Sequence, residues 1–375
     1  MTSSTPFPFE RLSRRPDAVG PGLEASDAAD RLIVDESRAA RAAVSAGEIA
    51  VIGDTYGALA LAAAHEGGAD IRVQQDALVG ERALAANAEA LGIRDVRSMP
   101  LEGSAVAGAR VVLVRLPRSL DELREVAGLI AAHAAPDVTV FAGGRIKHMT
   151  LAMNDVLGEF FARLDVTHAR QKSRVLVARD PHDGRDPVPL RGRDGDLELR
   201  AFGGVFAGAR LDIGTRMLIA TLPEKITGGS AEDPLIDFAS GTGAVAAHLA
   251  LRHPSAHVYA SDQSAAAVAS SLATAAANGV ADRVQVVRDD ALSLRPDGSA
   301  SFIALNPPFH SGGAISELIA PRLFADAARV LRPGGELWCV WNSALQYRTQ
   351  LERLVGPTRQ AARDTKFTVS VSTRH

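Results

Sequence analysis

The sequence is poor in cysteine, in aromatic residues and in long apolar stretches. Its 375 residues include one cysteine and two tryptophans, and only 5% of them are aromatic. A single cysteine excludes an internal disulfide and any metal site built from several cysteines. No apolar run approaches the roughly 18 residues that span a bilayer, and the N-terminus lacks the apolar segment of a signal peptide. We therefore expect a cytoplasmic protein with no membrane attachment and no bound metal.

An excess of charge of one sign is also absent. The chain carries 41 lysines and arginines against 44 aspartates and glutamates, and 46% of its residues are hydrophobic. This composition is that of an ordinary globular protein, and it excludes a disordered chain and a basic arm that binds nucleic acid through charge alone. A polyanionic partner would have to meet local patches. The basic run at 169–174 is one candidate for RNA contact, although it equally fits a solvated edge.

Strands alternate with helices twice along the chain. Residues 49–64 have the pattern of a buried strand, a glycine turn and an alanine-rich helix, and residues 234–251 repeat it. Two pairs of landmarks share one separation of 186 residues: Gly57 with Gly243, and Asp76 with Asp262. The order of elements predicts βαβ units with mostly parallel sheets, and the equal separation indicates an internal duplication.

The glycine turn of the second copy is the first candidate site. Gly241 and Gly243, with Ala246, fit the G-x-G-x-x-A pattern of dinucleotide folds, which alone also suits a nicotinamide reductase. Asp237 stands four residues before the first glycine, where a carboxylate suits the amino group of S-adenosylmethionine, a group that a dinucleotide lacks. Asp262 ends the next strand and can accept hydrogen bonds from both ribose hydroxyls. This pattern favours S-adenosylmethionine as cofactor.

Further acidic positions complete the predicted cofactor site. Asp290, with Asp289 as the alternative, closes a third strand from which a side chain can reach an adenine amine. The predicted cofactor-binding residues are Asp237, Ala239, Gly241, Gly243, Asp262, Gln263, Asp290 and Asn306. In the first copy Val51 replaces the strand-end aspartate and Thr55 the first glycine. We therefore expect the first copy to be degenerate and not to bind the cofactor.

An Asn-Pro-Pro-Phe turn is the predicted catalytic element. Asn306, Pro307, Pro308 and Phe309 follow an apolar strand of the second copy. Two successive prolines fix the turn, so that the Asn306 amide and the Pro307 carbonyl can hold the two hydrogens of an exocyclic base amine. Phe309 would stack on that base, which must be unpaired or flipped out. His310 either accepts a proton or only lines the rim.

These motifs resemble the bacterial ribosomal RNA guanine-N2 methyltransferases, a family with small-subunit and large-subunit members, and are closer to the large-subunit member. The resemblance extends over nearly the whole chain and rests on three segments: 211–214, 261–278 and 306–310. Segments 53–58, 114–119 and 366–367 also fit the family. It implies tandem methyltransferase-like domains of which only the second binds the cofactor. It also implies that the base is guanine, that the RNA is ribosomal, and that Asp212 and Gly214 belong to a segment beside the cofactor.

The expected architecture is α/β, with two tandem Rossmann-like class I methyltransferase domains. Residues 1–178 form the degenerate domain for packing and RNA contact, 179–200 a linker or irregular hairpin, and 201–375 the catalytic domain. The alternative enzymes are methyltransferases that act on adenine N6 in nucleic acid or on a glutamine amide in protein, since both share Asn-Pro-Pro-aromatic turns. A scaffold that binds RNA without catalysis is the third class.

Overall fold

The computed structural model describes residues 6–308 and 313–375. The chain divides into two compact units, Met1–Val188 and Pro189–His375. Each unit contains one seven-stranded sheet, and the second also contains a separate two-stranded sheet. The two units are described in turn.

The N-terminal unit surrounds a mostly parallel sheet. Its strands are β1 (Ile49–Ile52), β2 (Ile71–Gln74), β3 (Val96–Met99), β4 (Val111–Arg115), β5 (Thr139–Arg145), β6 (Phe161–Val166) and β7 (Ser173–Pro181). Its helices are α1 (Ala28–Arg41), α2 (Ala58–His65), α3 (Leu78–Leu91), α4 (Gly103–Val106), α5 (Leu120–His133) and α6 (Leu151–Gly158). The strand order is β3-β2-β1-β4-β5-β7-β6, and β7 runs antiparallel to both of its neighbours.

The C-terminal unit repeats this arrangement. Its strands are β8 (Leu190–Asp194), β9 (Leu197–Ala201), β10 (Leu235–Phe238), β11 (Val258–Asp262), β12 (Val284–Arg288), β13 (Ala300–Leu305), β14 (Leu331–Asn342), β15 (Thr358–Arg363) and β16 (Phe367–Thr373). Its helices are α7 (Ile213–Thr221), α8 (Ala244–Arg252), α9 (Ala265–Ala277), α10 (Gly313–Val330) and α11 (Arg348–Leu354). The large sheet has the order β12-β11-β10-β13-β14-β16-β15, with β16 antiparallel to β14 and β15.

The two sheets have the same topology, strand for strand, and this confirms the predicted pair of tandem α/β domains. In each copy the first strand is central and pairs in parallel with the second and the fourth. The central strands β1 and β10 are buried along their whole length, as expected for parallel strands covered by helices on both faces. Ligands in such sheets bind at the carboxyl ends of the strands.

The segment expected as a linker, 179–200, is mostly regular structure. Its beginning completes β7, and residues 190–201 form the β8–β9 hairpin, so that only 182–189 connect the two units. The hairpin turns at Gly195 and Asp196, where Gly195 has a φ of 58°. A Gly-Asp pair between two strands is a common hairpin signal. It accounts for part of the glycine and aspartate content that suggested a linker.

The single cysteine lies in the core. Cys339 in β14 is fully buried, and burial raises the pKa of its thiol, which makes it an unreactive core residue. Within residues 6–308 and 313–375, no helix combines the length and apolarity needed to cross a membrane.

Candidate cofactor and substrate site

The turn between β10 and α8 depends on backbone conformations that glycine adopts most easily. Gly241 and Gly243 have φ values of 54° and 73°, and Ala239 adopts 58° despite its side chain. A Cβ at Gly243 would lie 2.8 Å from the Cα of Ser271, whereas a Cβ at Gly241 would meet no described atom within 4 Å. Packing therefore requires Gly243, while Gly241 leaves its backbone accessible to a ligand.

Asp237 is buried beneath this turn. The residue is 3% exposed, and its Oδ2 accepts a hydrogen bond from the Ala246 amide at 2.8 Å. Burial raises the pKa of Asp237, the hydrogen bond from the Ala246 amide opposes this effect and the charge of Asp262 adds to it, so that the pKa lies at about 8. In this structure the carboxyl group therefore fixes the start of α8. Its contact with the cofactor amino group remains a prediction.

Asp262 ties the glycine turn to the end of β11. One carboxylate oxygen accepts a hydrogen bond from the Gly241 amide at 2.9 Å, and the other accepts one from the Ser264 amide at 2.9 Å. The next residue, Gln263, has a buried Oε1 with no hydrogen-bond partner among the described residues. The predicted ribose-binding residue thus lies against the turn, beside an unused acceptor.

The two candidate aspartates after β12 have different roles. Asp289 is 1% exposed and accepts hydrogen bonds from the Ser293 hydroxyl at 2.5 Å and the Leu294 amide at 2.8 Å, so it builds its own turn. Asp290 instead pairs with Arg322 on α10 at 2.6 Å, and the Arg322 side chain is half exposed. A ligand can displace the exposed Arg322 side chain from Asp290 more easily than it can disrupt the buried turn at Asp289. The geometry therefore favours Asp290 as the cofactor contact.

Asn306 lies directly after β13 with its amide held in one orientation. Its Nδ2 donates to Thr215 Oγ1 at 2.8 Å and to Asp212 Oδ2 at 3.2 Å. Rotating the amide by half a turn would bring its oxygen against the Asp212 carboxylate, which can only accept hydrogen bonds. The Asn306 Oδ1 is buried and has no partner among the described residues. It is therefore an oriented and unused acceptor.

Asp212 and Thr215 belong to the first turn of α7. Asp212 caps the helix, since its Oδ2 accepts a hydrogen bond from the Thr215 amide at 3.0 Å. The resemblance placed Asp212 beside the cofactor but gave no contact with Asn306, and it did not mention Thr215. An aspartate directly before an apolar helical run predicts the helix start. It does not reveal a contact across 94 residues of sequence.

The remaining predicted catalytic residues follow Asn306 in the sequence. Pro307 is buried. Phe309 and His310 lie outside the described residues, so their predicted roles stay predictions. The structure thus gathers Asn306, Pro307 and the glycine turn at one edge of the sheet, because β10 and β13 pair in parallel and end together.

The corresponding turn of the first copy is filled by side chains and by residues near the N-terminus. Asp54 is 2% exposed and accepts a hydrogen bond from the Ala60 amide at 2.7 Å, the counterpart of the Ala246 amide. Burial raises the pKa of Asp54 to about 6. Tyr56 donates to Asp17 at 2.6 Å. Asn87 bonds the Ser13 backbone in both directions at 2.9 Å and also donates to the Tyr56 carbonyl. These contacts agree with a degenerate first copy.

The fold and the site define a chain with two tandem methyltransferase-like domains. Residues 196–371 match the family described as methyltransferase small domain, and residues 1–182 match the RLMG N-terminal domain. The chain is 34% identical to the ribosomal RNA large subunit methyltransferase G of Streptomyces coelicolor and 32% identical to that of Pseudomonas aeruginosa, each over 98% of both chains. It belongs to the ribosomal RNA large subunit methyltransferase G family.

A solved structure supports the fold independently. The 16S rRNA N2 methyltransferase of T. thermophilus, determined in complex with AdoMet and guanosine, superposes with a TM-score of 0.74. The two sequences are 20% identical, and the match covers 98% of this chain and 99% of the other. The similarity therefore extends over both domains of this chain.

Proposed function

We propose that this protein transfers a methyl group from S-adenosylmethionine to the exocyclic N2 amine of a guanine in ribosomal RNA. The names of the full-length relatives support ribosomal RNA methylation, and the T. thermophilus neighbour contains both AdoMet and guanosine. The observation that carries the proposal is the buried Oδ1 of Asn306, which has no partner in the described part of the chain and which its neighbours hold in place as an acceptor. An amine hydrogen is the donor that such an oxygen lacks.

The residues of the glycine turn fit S-adenosylmethionine. The open space at Gly241 admits a ligand close to the backbone, and Gln263 offers a buried acceptor without a partner among the described residues. Asp262 and Asp290 supply carboxylates for ribose hydroxyls and an adenine amine, and Asp237 supplies one for the amino group. When bound, the cofactor supplies a methyl group on a positively charged sulfur, already activated for transfer.

The part played by the chain is to make the guanine amine reactive. An exocyclic amine is a poor nucleophile, because its lone pair is delocalised into the ring. The Asn306 Oδ1 and the Pro307 carbonyl accept its two hydrogens, which favours a pyramidal nitrogen and stabilises the positive charge that develops there. Correct positioning of the amine lowers the barrier further.

Asp212 and Thr215 act through Asn306. By accepting both hydrogens of the Asn306 amide nitrogen, they keep its oxygen directed at the substrate. A preset acceptor needs no reorganisation at the moment of reaction, and this is where electrostatic catalysis gains most. Phe309 would stack on the base, which has to leave its helix to reach this position.

Labelled cofactor tests the proposal directly. The full chain is incubated with S-adenosylmethionine labelled in the methyl group and with separate pools of ribosomal RNA, DNA and protein. We expect label in ribosomal RNA, and N2-methylguanosine as the labelled nucleoside after digestion. N6-methyladenosine, or label confined to protein glutamine, would instead support the alternatives that share the Asn-Pro-Pro turn. The cytoplasmic location and the choice between free RNA and an assembled subunit stay predictions.

A further inference from the structure

The N-terminal unit contains a basic cavity of about 310 Å³ at the carboxyl ends of β4 and β5. Its polar lining consists of Asp27, Arg115, Arg118, Arg145, Lys147 and His148. A volume of this size falls at the lower end of the range for small-ligand pockets, about 300–1,000 Å³. The cavity lies at the edge of the sheet where ligands of α/β folds bind.

The cavity occupies the position that corresponds to the Asn306 turn of the second copy. The first and fourth strands pair in the same register in both copies. Arg115, at the end of β4, therefore lies at the position that Asn306 occupies directly after β13. Asp27, the cap of α1, accepts hydrogen bonds from Arg115 at 2.8 and 2.9 Å. Asp212, the cap of α7, accepts the hydrogen bond from Asn306. The duplicated geometry has kept the cap and exchanged the amide for a guanidinium.

The cations of this cavity exceed its carboxylates. Asp27 and Asp30 neutralise Arg115, at 2.8 and 3.0 Å. Within the described part of the chain, no carboxylate lies within ion-pair distance of Arg118, Arg145 or Lys147. The Nε of Arg145 is buried and unpartnered among the described residues. The charge of Asp27 also acts on Arg145, so the four cations of the cavity lining share one carboxylate within that lining.

The pKa of His148 responds to the same cations. Loss of solvation lowers the pKa of His148, and the charges of Arg118, Lys147, Arg115 and Arg145 lower it further. Four cations are thus close enough to act on one ring. Such a cluster is unfavourable until an anion enters it, and a phosphate offers several acceptor oxygens that match guanidinium donors.

We propose that this cavity binds a backbone phosphate of the RNA substrate. The N-terminal domain thus contacts nucleic acid at the position that corresponds to the Asn306 turn of the second copy. The proposal rests on the proposed function only for the identity of the anion as RNA. The basic run at 169–174 is a weaker candidate, because its Arg170 already pairs with Asp35 and Glu36.

The test removes two exposed charges from the cavity of the full chain. Arg118→Gln with Lys147→Gln is compared with Arg94→Gln with Arg163→Gln, an exposed pair outside the cavity lining and outside the basic run at 169–174 that removes the same charge. Binding of fluorescently labelled, protein-free ribosomal RNA is followed by anisotropy at several salt concentrations. For the cavity variant we expect about tenfold weaker binding than for the control, and a salt dependence reduced by the equivalent of one to two phosphate contacts. Equal binding by the two variants would overturn the proposal.

Two further measurements distinguish free phosphate from RNA as the ligand, and the cavity proposal from the proposed function. Inorganic phosphate is titrated against the wild type by thermal unfolding. Stabilisation at millimolar phosphate that the cavity variant loses, while its RNA affinity equals that of the control, would assign the cavity to free phosphate and overturn the RNA contact. Calorimetry with S-adenosylhomocysteine should give the same affinity for both variants. If no ribosomal RNA is methylated but the cavity variant still binds it more weakly, the cavity proposal stands and the proposed function fails.

Discussion

At the scale of single residues, the site depends on one carboxylate that can only accept hydrogen bonds. Asp212 accepts from the Thr215 amide and from the Asn306 side chain, so a helix cap and an active-site orientation share one group. The Asn306 oxygen is left without a partner among the described residues. Thr215 donates its backbone amide to the cap and accepts from Asn306 with its hydroxyl, so the cap function and the orienting function can be separated at this residue.

We predict that Thr215→Val lowers kcat about ten- to a hundredfold, with the cofactor Kd changed by less than about threefold. Valine keeps the backbone amide that donates to Asp212, so the cap of α7 should remain intact. It lacks the hydroxyl that accepts from the Asn306 amide at 2.8 Å, so this amide is held less firmly in its orientation. Initial rates on ribosomal RNA and calorimetry with S-adenosylhomocysteine measure the two effects.

Thr215→Ser is the matched control, because it keeps the hydroxyl that accepts from Asn306, and it should retain kcat within about threefold of the wild type. A wild-type kcat in Thr215→Val would show that the orientation of Asn306 does not depend on this hydroxyl.

Asp237 gives a prediction for pH dependence. Burial raises its pKa to about 8 in the folded protein, against an ordinary value near 3.8. The folded chain therefore keeps a proton that the unfolded chain releases, so the stability of the cofactor-free protein falls as pH rises from about 4 to about 8. Asp237→Asn removes this dependence, because asparagine does not titrate. Its side-chain oxygen can still accept a hydrogen bond from the Ala246 amide, so the start of α8 should be kept.

Thermal unfolding from pH 5 to pH 8 measures the effect. We expect Asp237→Asn and the wild type to differ little at pH 5, and the variant to gain several degrees in relative Tm by pH 8, at about 2–4 °C per kcal/mol. Asp282→Asn, at an exposed position of the same domain, should show a constant difference. A constant difference for Asp237→Asn as well would mean that the carboxyl group is ionised throughout.

At the scale of elements, the two glycines of the β10–α8 turn have different roles. Both have a positive φ, but an added Cβ would overlap α9 only at Gly243. We predict that Gly243→Ala lowers the free energy of unfolding by about 2 kcal/mol or more, because strain and overlap add. Gly241→Ala should cost only about 1 kcal/mol and yet weaken cofactor binding at least tenfold.

Denaturant unfolding and calorimetry with S-adenosylhomocysteine separate these outcomes. Wild-type cofactor affinity in Gly241→Ala would contradict the assignment of this backbone to the ligand, whatever its effect on stability.

Local signals in the sequence predicted the elements well. The glycine turn, the aspartate at the end of β11 and the Asn-Pro-Pro turn are short motifs whose positions follow from strand and helix patterns. The β8–β9 hairpin was less evident, because its Gly-Asp turn lies in a segment rich in the residues of linkers. The contacts of Asn306 with Asp212 and Thr215 and the burial of Asp237 depend on tertiary packing, which no local pattern contains.

At the scale of the whole molecule, one architecture occurs twice with different consequences. The second copy keeps Gly241 open, whereas the first copy has Thr55 there and surrounds its turn with bonded side chains. At the fourth strand the second copy has Asn306, and the first has Arg115 in a basic cavity. The two copies therefore share a topology and differ in the residues at equivalent strand ends.

This account predicts one cofactor per chain. Calorimetry of the full chain with S-adenosylhomocysteine should give a stoichiometry of one, and Gly241→Ala should remove that single binding event. Thr55→Gly restores only the glycine and leaves Asp54 and Tyr56 in place, so it should not create a second site. A stoichiometry of two in the wild type would show that the first copy is functional.

The most direct test of the central claim is the turnover of Asn306→Ala on ribosomal RNA, measured together with its cofactor affinity. The account predicts that formation of N2-methylguanosine falls at least about a hundredfold, while the Kd for S-adenosylhomocysteine stays within about threefold of the wild type. Methylation of guanine N2 at the wild-type rate by Asn306→Ala would contradict it.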